Sequence, residues 1–239
     1  MYGRRARIGR ISPSPETAGA EEWRRSLPPD VCLVETRTLI HDVTTEGLTE
    51  MIKQVERAAL ELASAGVKAI LQAGTAAAFF RGIGHDADLI QRITAVTGIE
   101  ATTSMTAVVD ALRALGIRRP AVATPYIREM DEKLSDVLRQ SGFEIAAIEG
   151  LGLKRSIDMG ELEPQAAYRL ARQVVERAER PDGILISCGN FRTFEIIEQL
   201  ESECGLPVVT SNQAGLWRAL RLAGIDDRIG KLGRLLEKY

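Results

Sequence analysis

Two stretches decide the fold: "AILQAGTA" at 69–76 and "GILISCGN" at 183–190. Each is a short apolar run ending in small residues, the pattern of a buried strand leaving a sheet. They read as one unit written twice, with Cys188 in the second copy where the first has Gly74. Two further pairs keep the same order. "IGRISPS" at 8–14 parallels "PAVATPY" at 120–126, and "GIEATTSMTAVVDALRALGI" at 98–117 parallels "GLPVVTSNQAGLWRALRLAGI" at 205–225. The offsets are about 112, 114 and 107 residues, so the chain is expected to form two similar halves.

Outward from these stretches, apolar runs alternate with amphipathic segments. "RIGRIS", "CLVET", "VKAILQAG", "IEATT", "RPAVAT", "FEIAAIE", "DGILISCG" and "LPVVTS" predict strands. Residues 45–65 predict one helix, with Leu48, Ile52, Val55, Ala59 and Leu62 on one face and Gly66 ending it. Residues 127–141 repeat the pattern with Met130, Leu134 and Leu138, and Pro164 opens a helix running to about 179. The alternation predicts an α/β fold of two Rossmann- or flavodoxin-like halves, each with about four parallel strands, facing a central cleft. The halves are expected at 1–115 plus 213–239 and at 116–212, the last helix returning to the first half. Right-handed crossovers align the strand C-termini along one edge, where open α/β sheets bind ligands. A pseudo-two-fold axis would join the loops at 13–14, 74–76, 125–126 and 188–190, with Gly74 and Cys188 on opposite walls.

The chain has 239 residues, 45% apolar and 27% charged, with a net charge of −2. No bulk field favours nucleic acid or an anionic membrane, and no apolar run approaches a membrane span. "MYGRRARIGRIS" is basic but lacks the apolar core of a signal peptide. Its arginines read as a solvated arm leading into a strand. Cysteines 32, 188 and 204 and two histidines show no zinc spacing, so no metal is expected. A reduced, cytoplasmic setting follows from that cysteine usage. Cys32 reads as buried packing, Cys204 as the residue before a Gly205 helix cap, and His41 and His85 as surface or structural residues.

Each small-residue loop is expected to open a helix, whose unsatisfied N–H groups attract a carboxylate. Thr75, Ser187 and Thr193 supply hydroxyls nearby, and Tyr126 a phenol. A helix start beside Cys188 would lower its pKa, so Cys188 should alkylate faster than Cys32 or Cys204. A thiol there can move a proton at a carbon beside a carboxylate or attack as a nucleophile. No His–Asp partner supports a hydrolase. Two mirrored thiols would suit a racemase. A single thiol suits a carbanion that arises without a base, by loss of CO2, and is protonated from one side.

At these residues the chain resembles the aspartate/glutamate racemase superfamily, most closely the arylmalonate decarboxylases and next the maleate cis–trans isomerases. The resemblance covers most of the chain and is carried by "GTAAAFFRG", "TTSMTAVVDALRALGIRRPAVATPYI", "DGILISCG" and "LPVVTSNQAGLWRALRLAG". It implies two four-stranded halves, no cofactor, and Cys188 as the proton donor to an enediolate. Thr75, Tyr126 and the amides of Cys188 and Gly189 would hold the retained carboxylate. Pro13 and Ser14 would border the substrate, and Ile40, Val43 and Met159 would form the apolar pocket of the departing carboxylate. The chain departs from the decarboxylase pattern at Ala76 (there serine), Ser156 (there branched aliphatic), Ser14 (there proline) and Asn190 (there glycine). Glu16 stands where isomerases carry asparagine. The expected ligand is a small dicarboxylate or α-aryl carboxylate, with no nucleic acid or membrane partner. A racemase or isomerase, or a carboxylate-binding protein without activity, stay open as alternatives.

Overall fold

The computed structural model describes residues 2–239. The first half runs β1 (Ala6–Pro13), α1 (Ala18–Ser26), β2 (Val31–Thr38), α2 (Thr45–Ile52), α3 (Val55–Ser64), β3 (Ala69–Gln72), α4 (Thr75–Phe79), α5 (His85–Thr97), β4 (Ala101–Thr103) and α6 (Ser104–Ala114). The second runs β5 (Pro120–Tyr126), α7 (Arg128–Gln140), β6 (Ala147–Leu153), α8 (Ser156–Gly160), α9 (Pro164–Arg177), β7 (Gly183–Ile186), a 3-10 turn (Phe194–Ile196), α10 (Ile197–Cys204) and β8 (Val208–Thr210). Helices α11 (Ser211–Leu222) and α12 (Gly233–Lys238) close the chain.

The two sheets have one topology. Their orders are β2-β1-β3-β4 and β6-β5-β7-β8, and every pairing is parallel. In each, the chain reverses its winding direction between the first and third strands. The crevice at that switch point is where such sheets place ligands. Pro13 and Gly74 follow one switch point, Tyr126 and Cys188 the other. Thr103 and Thr210 end the fourth strands and cap α6 and α11 alike, each accepting the N–H three residues on. Helix α11 packs Leu216, Ala219 and Leu220 against Ala6, Ile8 and Leu71 of the first sheet.

Three expectations for the elements change. The helix foreseen at 45–65 is two, α2 and α3. Gln54 at the break turns its side chain to the backbone of Leu39, accepting from its N–H at 3.0 Å and donating to its carbonyl at 3.2 Å. That bend frees α2 to lay Leu48 and Met51 over the cleft. Strand β6 begins at Ala147 rather than Phe143 and runs on to Leu153. Its pairing with β5 slips at Pro125, which has no N–H to donate. Cys32, read as buried, is only partly so, because β2 is an edge strand.

The loops after β2 and β6 meet across the cleft. Asp42 and Arg155 form an antiparallel bridge. The Val43 N–H donates to the Lys154 carbonyl at 2.8 Å and the Ser156 N–H to the His41 carbonyl at 3.2 Å. Lys154 and Asp42 add an ion pair at 3.6 Å. This clasp lies directly over the switch-point crevices.

Candidate active site

Under the clasp is a cavity of about 30 Å³, with room for about one water molecule. Pro13, Ile40, Val43, Gly74, Thr75, Ala76, Tyr126, Ser156, Met159, Cys188, Gly189 and Asn190 all line it. Of the residues singled out from sequence, Ser14 is not part of that lining. Its hydroxyl instead exchanges hydrogen bonds with the Ile40 N–H and carbonyl, at 3.1 and 3.2 Å, and so ties β1 to the clasp.

Gly74 takes a left-handed φ of 91°, a region that disfavours residues with a Cβ. Helix α4 starts immediately after it, so the amides of Thr75 and Ala76 have no intrahelical acceptor. The Thr75 hydroxyl donates to Ser211 Oγ at 2.7 Å. Ser211 Oγ also accepts the Cys188 N–H at 3.1 Å. One hydroxyl on α11 thus joins the two loops. The Tyr126 ring packs edge-on against Phe79 of α4, with centroids 6.1 Å apart. Its hydroxyl is grouped with the side chains of Cys188, Ser187 and Thr75, and burial holds it well above the usual phenol range.

The expectation of a helix start at Cys188 fails. Residues 187–193 form an irregular loop, and the next helical turn begins at Phe194. Thr193 turns away from the cavity to bond the Thr210 hydroxyl. The thiol shift is also reversed: burial pushes Cys188 up to about 12, against the Asn190 N–H that lowers it, and the Glu16 charge adds to the rise. The Asn190 N–H reaches Sγ at 3.4 Å, and Met159 Sδ lies at 3.9 Å. At neutral pH the group is therefore a thiol, not a thiolate. With Cys188 buried and Cys32 and Cys204 partly open, the expected order of alkylation inverts as well.

This loop is held by residues from elsewhere. Asn190 Oδ1 accepts the N–H groups of Thr17 and Ala18 at 2.9 and 3.3 Å, while Nδ2 donates to the Ser156 carbonyl at 2.8 Å. Its amide is fully engaged in that strut and offers little to a ligand. Glu22 of α1 accepts the Thr193 and Phe194 N–H groups at 2.6 and 2.9 Å and Asn212 Nδ2 at 2.6 Å. Asn212 Nδ2 also donates to the Gly189 carbonyl at 2.9 Å. Burial outweighs these donors and lifts Glu22 to about 7.

Arg10, expected in a solvated arm, is instead 1% exposed inside β1. It pairs with Glu16, donates to Ser12 Oγ at 2.5 Å, and lies 5.3 Å over the Trp23 ring. Glu16 reaches the cavity lining. A buried-strand alternation carrying one arginine, with a glutamate six residues on, was the available sequence signal. Ser211, Glu22 and Asn212 had none beyond the "TSNQA" repeat. His85 is buried against Phe80, where burial lowers its pKa, and it lies outside the cavity lining. Among the described residues, no cluster of three metal-ligating side chains occurs and no helix is long and apolar enough to cross a membrane.

The geometry agrees with what the chain is similar to. A family model described as arylmalonate decarboxylase matches residues 24–236. The chain belongs to the arylmalonate decarboxylase family. Arylmalonate decarboxylase of Bordetella bronchiseptica is 35% identical over 198 residues, 83% of this chain and 82% of that protein. Maleate isomerase of Nocardia farcinica is 30% identical over 242 residues, 97% and 96% of the two chains. Among solved structures, a liganded glycine-to-cysteine, cysteine-to-serine double variant of arylmalonate decarboxylase superposes with a TM-score of 0.92 at 33% identity, covering 98% of this chain and all of that one. A cysteine-to-serine variant of the Nocardia isomerase holding a covalent succinylcysteine intermediate also gives 0.92, at 27% identity, over 98% and 99%. Family membership and the twin four-stranded α/β architecture are thereby established, and the named relatives are enzymes. The two kinds of relative differ in reaction.

Proposed function

We propose that the protein decarboxylates a substituted malonic acid, the reaction type of the arylmalonate decarboxylases, without a cofactor. The carrying observation is a single buried thiol in a cavity whose other switch-point loop presents glycine. The free amides of Thr75 and Ala76, the Tyr126 phenol and the Gly189 amide hold the carboxylate that stays, while the Thr75 hydroxyl and the Cys188 N–H fix the two loops through Ser211. The second carboxylate lies among Ile40, Val43 and Met159, where desolvation disfavours its charge. The bond from the α-carbon to that carboxylate breaks, CO2 departs, and the electron pair moves into an enediolate held by the loop donors. Cys188 then gives its proton to the carbon. The thiolate regains a proton when the clasp opens to solvent. Ala76 and Ser156 alter this cradle, one by removing a hydroxyl and one by adding a hydroxyl to the apolar side.

The isomerase reading has one point in favour, the near-complete length match to maleate isomerase. It is the weaker reading, because that relative keeps its cysteine adduct when another cysteine is serine, so it carries two. This cavity has one, and that one stays protonated. The test is CO2 release from a malonate panel by wild type beside Cys188→Ser. Cysteine-dependent release supports the reading. No release, with maleate converted instead, overturns it.

A further inference from the structure

Of the side chains lining the cavity, Glu16 alone is charged. It is 1% exposed, and its partner Arg10 contacts Oε1. The other oxygen, Oε2, faces Gly189, only 2.9 Å from where a Cβ on that residue would sit. The loop carrying Glu16 is fastened on both sides. Arg37 donates to the carbonyls of Ser14 and Glu16 at 2.8 and 2.7 Å, and Asn190 holds the Thr17 N–H. The carboxylate is thus fixed beside the Cys188 loop in the cavity lining, with one oxygen to which none of the described residues donates a hydrogen bond. An aryl ring pressed there would desolvate that oxygen without offering a donor. A hydroxyl or ammonium would give it a charge-assisted hydrogen bond.

Resting on the decarboxylase reading above, we infer that Glu16 selects malonates whose α-substituent is a hydrogen-bond donor, ammonium or hydroxyl, rather than an aryl ring. Arg10 pairs with one oxygen of the carboxylate and so compensates its burial in the apolar interior. Gly189 leaves the space its oxygen needs.

The experiment measures binding on the unreactive Cys188→Ser protein by calorimetry, with aminomalonate, hydroxymalonate and phenylmalonate. Binding is read instead of turnover because an aryl ring itself stabilises the carbanion. The two donor-bearing acids are expected to bind at least tenfold more tightly than phenylmalonate. Adding Glu16→Gln should weaken aminomalonate at least tenfold and hydroxymalonate less, since the amide oxygen still accepts from a hydroxyl. If Glu16→Gln leaves Arg10 unpaired and unfolds, Arg10→Met with Glu16→Leu removes the pair together and should reverse the order. Phenylmalonate binding as tightly as the others, or an order unmoved by both variants, overturns the inference. CO2 release by the Cys188-containing protein is scored separately. Glu16-dependent binding without release sinks the decarboxylase reading alone, and cysteine-dependent release with phenylmalonate preferred sinks the inference alone.

Discussion

The loops after β3 and β7 occupy equivalent places in equivalent sheets, yet they are held in place differently. The Gly74 loop needs less outside support: one left-handed glycine turns directly into α4, whose residues Thr75 to Phe79 are all buried, and the Thr75 hydroxyl adds one bond to Ser211. The Cys188 loop has no helix to brace it. Its Asn190 side chain accepts the Thr17 N–H, Glu22 of α1 and Ser211 of α11 accept its backbone N–H groups, and Asn212 of α11 donates to its Gly189 carbonyl. The loop that carries the thiol is therefore positioned by the first half of the molecule and by α11. Duplication supplied the scaffold, and long-range contacts distinguish the two copies.

The strongest way to break this contrast is to remove the thiol. Cys188→Ser should lower CO2 release by about 10²–10⁴-fold, the usual contribution of a positioned proton donor, while leaving the melting temperature close to wild type. Retained turnover would put the proton donor elsewhere. Next in size is Glu22, whose pKa is raised by burial to about 7. A carboxyl raised in the folded state contributes stability fully below its unfolded pKa, and that stability is lost as pH rises through about 7. Wild type should thus lose on the order of 3 kcal/mol relative to Glu22→Gln between about pH 4.5 and 7. Denaturant titrations at those two pH values check this, and parallel curves would remove the electrostatic account of the anchor.

Two smaller effects sharpen the contrast. Gly74→Cys gives the first loop a thiol. A side chain there meets Pro13 Cγ at 3.1 Å and an unfavourable φ, so the variant should lose roughly 1–2 kcal/mol of stability. It should also exchange the α-proton of the product acid with deuterated water, read by NMR. No exchange in a folded variant would mean that the two loops do not face one substrate carbon. The smallest test is labelling. Iodoacetamide should reach Cys188 at least tenfold more slowly than Cys32 or Cys204 in the folded protein, followed by peptide mass spectrometry, and faster labelling of Cys188 would contradict a protonated, enclosed thiol.

Much of this was legible in the chain. All eight strands follow from short apolar runs bounded by small residues, and the repeat of "AILQAG" as "GILISCG" foretold two sheets of one topology. The break between α2 and α3 was not legible, because the apolar face continues across it. It is set by Gln54 finding the Leu39 backbone, a tertiary contact. The Cys188 environment was misjudged for a related reason. A glycine after a strand suggests a helix start, but "GNFRT" spends its polar groups on partners 170 residues away in sequence, such as Glu22. Arg10 was hidden among surface arginines, and only its place in a buried strand separates it from Arg4 and Arg5, which pair with Asp30 and Asp227 at the surface.

The clasp formed by Asp42 and Arg155 bears on how anything enters. A cavity of about 30 Å³ is far smaller than any substituted malonate, so the proposed reaction requires its walls to part, and the bonds from Val43 to Lys154 and from Ser156 to His41 are what joins the two loops there. While those bonds hold, the enediolate of that reaction would meet the Cys188 thiol on one wall and no bulk water.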